Sequence, residues 1–356
     1  MKITITTGGS GGHIFPALTF ADALRDKHDV SFIGNDHKME SWIIPEHGYD
    51  FHAIHNQGLQ GSVIDKLKAV TGQFKAIAAA KALLRELQPD LVVSFGGYVT
   101  LPVVLAAGKL GIKVMIHEQN ALVGKANRMA AKHADMIVTC YEESFANDPR
   151  VSFLGNPRAS LIHEEIDPKP VYKELGLDES LPLVLMVMGS QGSASMNTIF
   201  KDYVKTFNHD DYQVIVVTGP TNYDDFIKNI GPLHKNLKVV GFVDQRALLP
   251  KLDLILCRSG ASTIAEIQSF GLPSILVPSP HVANNHQYYN AKSLEDRDAC
   301  VLIQEKDLNG NTLDSAVDGL IHDQARKETL SENVKAMARP NAVADMVALV
   351  ESLQHD

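Results

Sequence analysis

His13 closes a run of small residues, TGGSGGH over positions 7–13, directly after the apolar stretch KITIT. An imidazole with an ordinary pKa of about 6.5 takes up and releases protons near neutrality, which suits a general base. The residues before it suit an anion. Glycines between a strand and a helix bring backbone N–H groups close to a phosphate and leave room for a bulky ligand. Two familiar nucleotide loops are excluded by spacing. A G-x-G-x-x-G fingerprint begun at Gly9 needs glycine where Ile14 stands, and a P-loop needs Gly-Lys-Ser/Thr where the chain has Gly12-His13-Ile14. Asp36 imitates the ribose-binding acid of a dinucleotide site, a weak signal alone. The loop is therefore suited to a phosphate or a sugar.

A second group of chemically capable residues lies in CRSGASTIAEIQSFGLP, after the apolar LDLIL. Ser259, Gly260 and Ala261 open a helix there, so their N–H groups can meet a diphosphate. Glu266 follows, and a carboxylate accepts two hydrogen bonds from a ribose diol; the same residues also read as a Ser-capped helix with a surface glutamate. HVANNHQYYNA offers uncharged amides that suit sugar hydroxyls, with Asn284 and Asn285 read as a polar loop capping a helix. Arg158, in GNPR, has the charge and fork for a phosphate, or for an ion pair with Glu164 or Glu165. In HEQN, at a strand end, His117 reads as a packed histidine, and Glu118 is the carboxylate nearest Asn120. No metal-ligand spacing is found. Asp296-Arg297-Asp298 lies in a charged, helix-like run and reads as a solvated face, and Cys140, Cys257 and Cys300 are far apart, as fits a reducing compartment.

These groups need a scaffold, and the chain alternates the elements of one. KITITT, DVSFIG, DLVVSF, KVMIHE and MIVTC are short β-rich runs separated by helix-like stretches, the pattern of a parallel sheet with crossovers. The plan restarts at LPLVLMVMGSQGSASMN, and two longer blocks, beginning PDLVVSF and LDLILCRS, repeat one design roughly 160 residues apart. The polar, Pro-bearing stretch GNPRASLIHEEIDPKP marks the boundary. The expected fold is α/β, with two Rossmann-like domains facing each other across a cleft and ligands beyond the carboxyl ends of the strands. The 356 residues suffice for two cores, and the net charge of −9 argues against bulk nucleic-acid binding. No signal peptide is read at the start and no apolar run long enough to span a bilayer.

TGGSGGHIFPAL, HEQN, GNP, GSQGS, RSGASTIAE, GLPSILVP and NNHQYYNA occur in the order seen in the MurG family, which the chain resembles over nearly its whole length. Two positions depart from the family pattern. Arg158 follows Pro157 directly where the family often has an arginine two residues after GNP, and Met188 and Ser193 replace the first glycine and the alanine of GGSQGA. The resemblance implies an inverting glycosyltransferase of the GT-B architecture. It moves N-acetylglucosamine from UDP-N-acetylglucosamine to O4 of the muramoyl sugar of an undecaprenyl-diphosphate-linked muramoyl-peptide, with no cofactor. It implies a domain of 1–157 for the acceptor and membrane, with a C-terminal helix near 341–356 expected to pack back on it, and a domain of 158–340 for the UDP-sugar. His13 becomes the base or an acceptor-positioning group, with Glu118 the second candidate base. Ser10, Gly11 and Gly12 would bind the acceptor's diphosphate, and Asn120 would face the transferred sugar. Arg158, Ser190, Ser259, Gly260, Ala261, Ser262 and Thr263 would serve the nucleotide, Val243 the uracil, Glu266 the ribose and Gln287 the sugar. A lipid acceptor implies peripheral contact with an anionic membrane surface, at the cytoplasmic face of the bacterial plasma membrane. VIDKLKAVTGQFKAIAAAKALLR has Leu67, Val70, Phe74 and Ile77 at helical spacing among Lys66, Lys68, Lys75, Lys81 and Arg85; it reads either as a lipid-resting helix or as one packed on the sheet. A glycolipid synthase, a UDP-sugar epimerase and a non-catalytic nucleotide-sugar binder remain as alternatives, separated by acceptor preference and by acceptor-dependent release of UDP.

Overall fold

A computed structural model describes residues 1–56, 63–163, 165–189, 192–228 and 230–353, with side chains from residue 72 onward in the helix that begins at Val63. The chain forms two compact units, Met1–Ser160 with Asn341–Asp356, and Leu161–Pro340. Arg158 thus belongs to the first unit.

The first unit holds seven parallel strands, β1 (Lys2–Thr6), β2 (Asp29–Asn35), β3 (Asp50–Ile54), β4 (Leu91–Ser94), β5 (Lys113–Glu118), β6 (Met136–Thr139) and β7 (Val151–Phe153), in the order β3-β2-β1-β4-β5-β6-β7. Strand residues alternate between two apolar layers, so both faces are covered. Ile3, Ile5, Leu91, Val93 and Met115 pack with Ile14, Phe20 and Leu24 of the helix Gly11–Leu24. Val92, Val114 and Ile116 face the other way, against Val103, Val104, Ala80 and Leu84. The C-terminal helix Ala342–Ser352 completes the first layer with Met346 and Val350, and Lys27 Nζ donates to Glu351 at 3.0 Å.

The second unit repeats the plan with β8 (Leu183–Val187), β9 (Gln213–Val217), β10 (Leu237–Val240), β11 (Leu254–Cys257), β12 (Ser274–Leu276) and β13 (Val301–Leu302), ordered β10-β9-β8-β11-β12-β13 and all parallel. In each sheet the order reverses beside the first strand of the set, β1 or β8. Loops leaving the carboxyl ends at that switch point diverge and open a crevice, the usual ligand position in such sheets. The loops after β1 and β4 meet there in the first unit. Gly97 has φ +105°, and a β-carbon on it would sit 2.4 Å from the Gly8 carbonyl oxygen, so this close approach admits glycine alone.

The helix Val63–Leu87 buries Ala76, Ala80 and Leu84 and leaves Phe74 exposed at 70%. Small residues on the buried side permit close packing against the helix Thr100–Leu110. Ile77 is half-buried, and Leu67, Val70, Lys66 and Lys68 lie outside the described side chains. Among the described residues no helix is long and apolar enough to cross a membrane.

Two buried polar side chains fix the crevice of the first unit. Glu40 is fully buried and accepts from the Gly9 N–H at 3.1 Å and the Asn35 N–H at 3.2 Å, tying the glycine loop to the end of β2. His117, on β5, is fully buried; its Nε2–H donates to the Gly155 carbonyl at 3.0 Å and its ring packs on Phe95. Glu40→Ala strands two backbone donors and should cost about 1–3 kcal/mol for each that is left unpaired. Thermal unfolding should show a clear loss for Glu40→Ala and a smaller one for Glu40→Gln, which keeps an acceptor; equal melting of all three proteins would remove this role. Burial pushes the His117 pKa down from 6.5 to about 4. The unfolded chain therefore takes up this proton first, and stability falls as pH drops from about 6.5 toward 4. Melting temperature against pH should be steeper in that window for the wild type than for His117→Gln.

Candidate active site

The glycine loop leads from β1 into the helix Gly11–Leu24, with extended Ser10 (φ −157°, ψ 155°) at its N-cap. The helix starts five residues before Pro16, so Gly11 and Gly12 form its first turn and present backbone N–H groups at a positive helix end. Ser10 Oγ makes no capping bond; it lies 3.2 Å from His13 Nδ1. The same Nδ1 lies 3.2 Å from the Gly8 carbonyl oxygen. A carbonyl only accepts, so the neutral ring carries its proton on Nδ1 and its lone pair on Nε2. That Nε2 lies over Gly96 in the facing loop, 3.2 Å from where a β-carbon would stand, and the φ of +96° there is again a glycine conformation. The half-buried ring is thus held in one orientation, in the tautomer whose lone pair is on Nε2.

The HEQN segment lies at the end of β5. Glu118 is buried and accepts from four donors: Asn120 N at 3.0 Å, Asn120 Nδ2 at 3.4 Å, Gly124 N at 3.0 Å and Asn127 Nδ2 at 2.9 Å. All four bonds use the carboxylate as acceptor. It fixes the position of Asn120. His117 is packed as described, and Gln119 donates to the Phe95 carbonyl at 3.1 Å. Arg158 lies in the 3-10 segment Pro157–His163, and its N–H donates to Asn156 Oδ1 at 3.0 Å. Glu164 lies outside the described residues.

In the second unit, β11 runs through Arg258 and Ser259 into the helix Ala261–Phe270, with extended Gly260 at its N-cap. The N-cap has no side chain to spend on the first N–H groups, which leaves the helix end suited to an anion. Ser262, Thr263 and Glu266 share one face by i,i+3 and i,i+4 spacing. Glu266 is in the second turn and 8% exposed, which overturns its reading as a surface residue serving the first-turn dipole. Ser259 Oγ donates to the Gln287 carbonyl at 2.8 Å, and Asn290 Nδ2 donates to the Ser259 carbonyl at 3.2 Å. Gln287 Oε1 accepts from the Ser279 N–H at 2.8 Å, which orients its NH2 as the group to offer a ligand. Asn284 and Asn285 lie at the entrance of the helix His286–Glu295, both with positive φ. Val243 has a buried side chain in the connection from β10 to the helix Gln245–Leu248. Ser190 lies outside the described residues. Asp296 and Asp298 are exposed and pair with Lys292 and Arg326, as a solvated face does.

Three features escape the sequence reading. Nothing in KMESWIIPE marks Glu40 as the anchor of a loop thirty residues earlier. Arg258 is buried inside a quoted motif; its guanidinium donates to the carbonyls of Val277 and Pro278, to Ser193 Oγ at 2.9 Å and to Glu305 at 2.6 Å. Asp36, His37 and His55 converge at the ends of β2 and β3, although no spacing signals a cluster.

Residues 3–139 match the glycosyltransferase family 28 N-terminal domain, and residues 183–346 match the family 28 C-terminal domain. The chain is 37% identical to the UDP-N-acetylglucosamine–N-acetylmuramyl-(pentapeptide) pyrophosphoryl-undecaprenol N-acetylglucosamine transferase of Lactiplantibacillus plantarum, covering 99% of each chain. It is 38% identical to the protein of the same name from Halalkalibacterium halodurans, again over 99% of each. The crystal structure of Acinetobacter baumannii MurG superposes with a TM-score of 0.81 at 28% identity, covering 99% of each chain. With both domain models matched and relatives this similar end to end, the chain belongs to glycosyltransferase family 28 and, within it, to the MurG N-acetylglucosaminyltransferases.

Proposed function

We propose that the protein is a hexosyltransferase of peptidoglycan synthesis. It transfers N-acetylglucosamine from UDP-N-acetylglucosamine to O4 of the muramoyl sugar on an undecaprenyl-diphosphate-linked muramoyl-peptide, inverting the anomeric centre. One observation carries the chemistry. His13 turns Nδ1 to a main-chain carbonyl, which selects the tautomer with the lone pair on Nε2, beside a glycine-lined loop. In this reading Nε2 takes the proton of the O4 hydroxyl as O4 forms its bond to C1 of the donor sugar. The bond from C1 to the diphosphate oxygen breaks, and UDP leaves with the electron pair. Attack opposite the leaving group gives inversion.

The remaining roles follow from what each residue offers. Ser10, Gly11 and Gly12 hold the acceptor's diphosphate on a helix N-terminus, and Asn120, fixed by Glu118, meets the transferred sugar. The N-terminus of Ala261–Phe270, through Ser259, Gly260, Ala261, Ser262 and Thr263, takes the negative charge that develops on departing UDP. Glu266 accepts from the ribose hydroxyls, Gln287 reads the sugar hydroxyls with its NH2, and the Val243 main chain contacts the uracil. Arg158 and Ser190 serve the phosphates. We assign acceptor and membrane contact to the first domain and the UDP-sugar to the second. A prenyl-linked acceptor resides in a bilayer, so the enzyme works as a peripheral protein on an anionic surface, at the cytoplasmic face. Exposed Phe74 with Lys75 and Arg85 on the helix Val63–Leu87 suits that contact.

His13→Ala and His13→Asn should lower kcat by about 10² to 10⁴, the usual cost of a lost general base, with the dissociation constant for UDP-N-acetylglucosamine nearly unchanged. Steady-state rates beside donor titration calorimetry measure both; near-normal turnover in both variants removes the base from this position. The same assay run without acceptor should release almost no UDP, whereas an epimerase or a non-catalytic binder would show no acceptor dependence. Glu266→Ala should weaken UDP binding by about 1–3 kcal/mol, the range for charge-assisted hydrogen bonds. An unaltered calorimetric affinity would take Glu266 out of the nucleotide site.

A further inference from the structure

We propose that Asp36, His37 and His55 form a three-ligand site for a transition-metal dication of the zinc class, on the rim of a pocket in the first unit. The sheet itself builds the cluster. Asp36 and His37 directly follow β2, and His55 directly follows β3. The parallel register pairs Asn35 with Ile54, so the next residues of both strands, Asp36 and His55, emerge side by side. Both histidines turn the same nitrogen onto one carboxylate. His37 Nδ1 lies 2.5 Å from Asp36 Oδ1, and His55 Nδ1 lies 3.0 Å from Oδ2. One ligand atom from each of the three residues fits within a 4.8 Å span, and no other such trio occurs among the described residues. In a tetrahedral site with bonds of about 2.0–2.2 Å, ligand atoms stand about 3.4 Å apart. All three side chains are exposed, so the core does not hold them in place. Two imidazoles and a carboxylate are the donor set of borderline dications, zinc foremost, and three protein ligands leave a fourth position for water.

A second observation lies beside the cluster. His37 also lines a pocket of about 210 Å³ together with Gly9, Asn35, Lys38, Asn56 and Tyr98. Asn35 and Asn56, the chain neighbours of Asp36 and His55, are both buried. Each spends its NH2 on a main-chain carbonyl, Asn35 on that of Asn56 and Asn56 on that of Tyr98 at 2.6 Å. Their orientation is thereby fixed, and among the described residues neither buried Oδ1 has a hydrogen-bond partner. Buried acceptors want donors. Water in the open position of the ion would face the pocket that His37, Asn35 and Asn56 line.

The test uses the full-length protein, stripped with chelator and titrated with Zn²⁺ by calorimetry and with Co²⁺ by visible absorption. The wild type should bind one ion more than the His37→Ala/His55→Ala double variant, with a cobalt spectrum of tetrahedral intensity. Asp36→Asn should weaken that ion by more than about tenfold. UDP-N-acetylglucosamine titration of each variant reports on folding, because the proposed donor residues lie elsewhere. Equal stoichiometry and affinity in wild type and double variant would place any bound ion on other histidines and overturn the site, as would a wild type that binds neither metal.

Discussion

In the first unit, the geometry of the glycine loop depends on one buried carboxyl group. Glu40 is fully buried, and its oxygens accept from the N–H groups of Gly9 and Asn35. A glycine loop is conformationally permissive, which lets a ligand approach and also lets the loop wander. Two hydrogen bonds to a buried acceptor remove that freedom where it would do harm. The Gly8 carbonyl is then fixed, and Gly8 in turn orients the His13 ring through Nδ1. Gly97 packs on the same carbonyl from the β4 side. The His13 ring, the proposed base, is therefore aimed by a chain of contacts that begins in the core.

The second unit solves the same problem with the opposite charge. Arg258 is buried at the end of β11 and spreads its donors over the carbonyls of Val277 and Pro278, Ser193 Oγ and Glu305. It ties three loops at the carboxyl edge of the sheet. Ser193, where the family pattern has alanine, is also the N-cap of the helix Ala194–Thr206 and accepts from Met196 N at 3.5 Å. The hydroxyl thus has work that an alanine could not do, which makes this departure a local adjustment of the same brace.

Strands, glycine turns and the repeat were legible because parallel strands covered on both faces read as short apolar runs bounded by glycine. The glycine-rich start of the first helix was not. Low intrinsic propensity at Gly11 and Gly12 argued for a loop, and the packing of Ile14, Leu18 and Phe20 overrides it. Ser259 through Glu266 were legible as one group because they lie within one turn and helix. For Glu118, nearness to Asn120 in sequence does not reveal the Gly124 and Asn127 donors that also meet its carboxylate. Glu40 and the Asp36–His37–His55 group were invisible for a further reason. Their partners are set by which strands pair and in what register, and adjacent letters do not carry that information.

The latch between Ser259 and Gln287 joins two recognition tasks in one rigid body. Ser259 precedes the helix end proposed for the diphosphate, and Gln287 carries the amide proposed for the sugar. Ser259 Oγ holds the Gln287 carbonyl, Asn290 holds the Ser259 carbonyl, and the Ser279 N–H pins the Gln287 side chain. Phosphate and sugar contacts therefore cannot shift independently. In the proposed reading, a donor whose hydroxyls displace Gln287 also displaces the N–H groups offered to the leaving charge. In such an arrangement, discrimination among sugars falls on the transition state as well as on binding, since only interactions stronger there raise the rate.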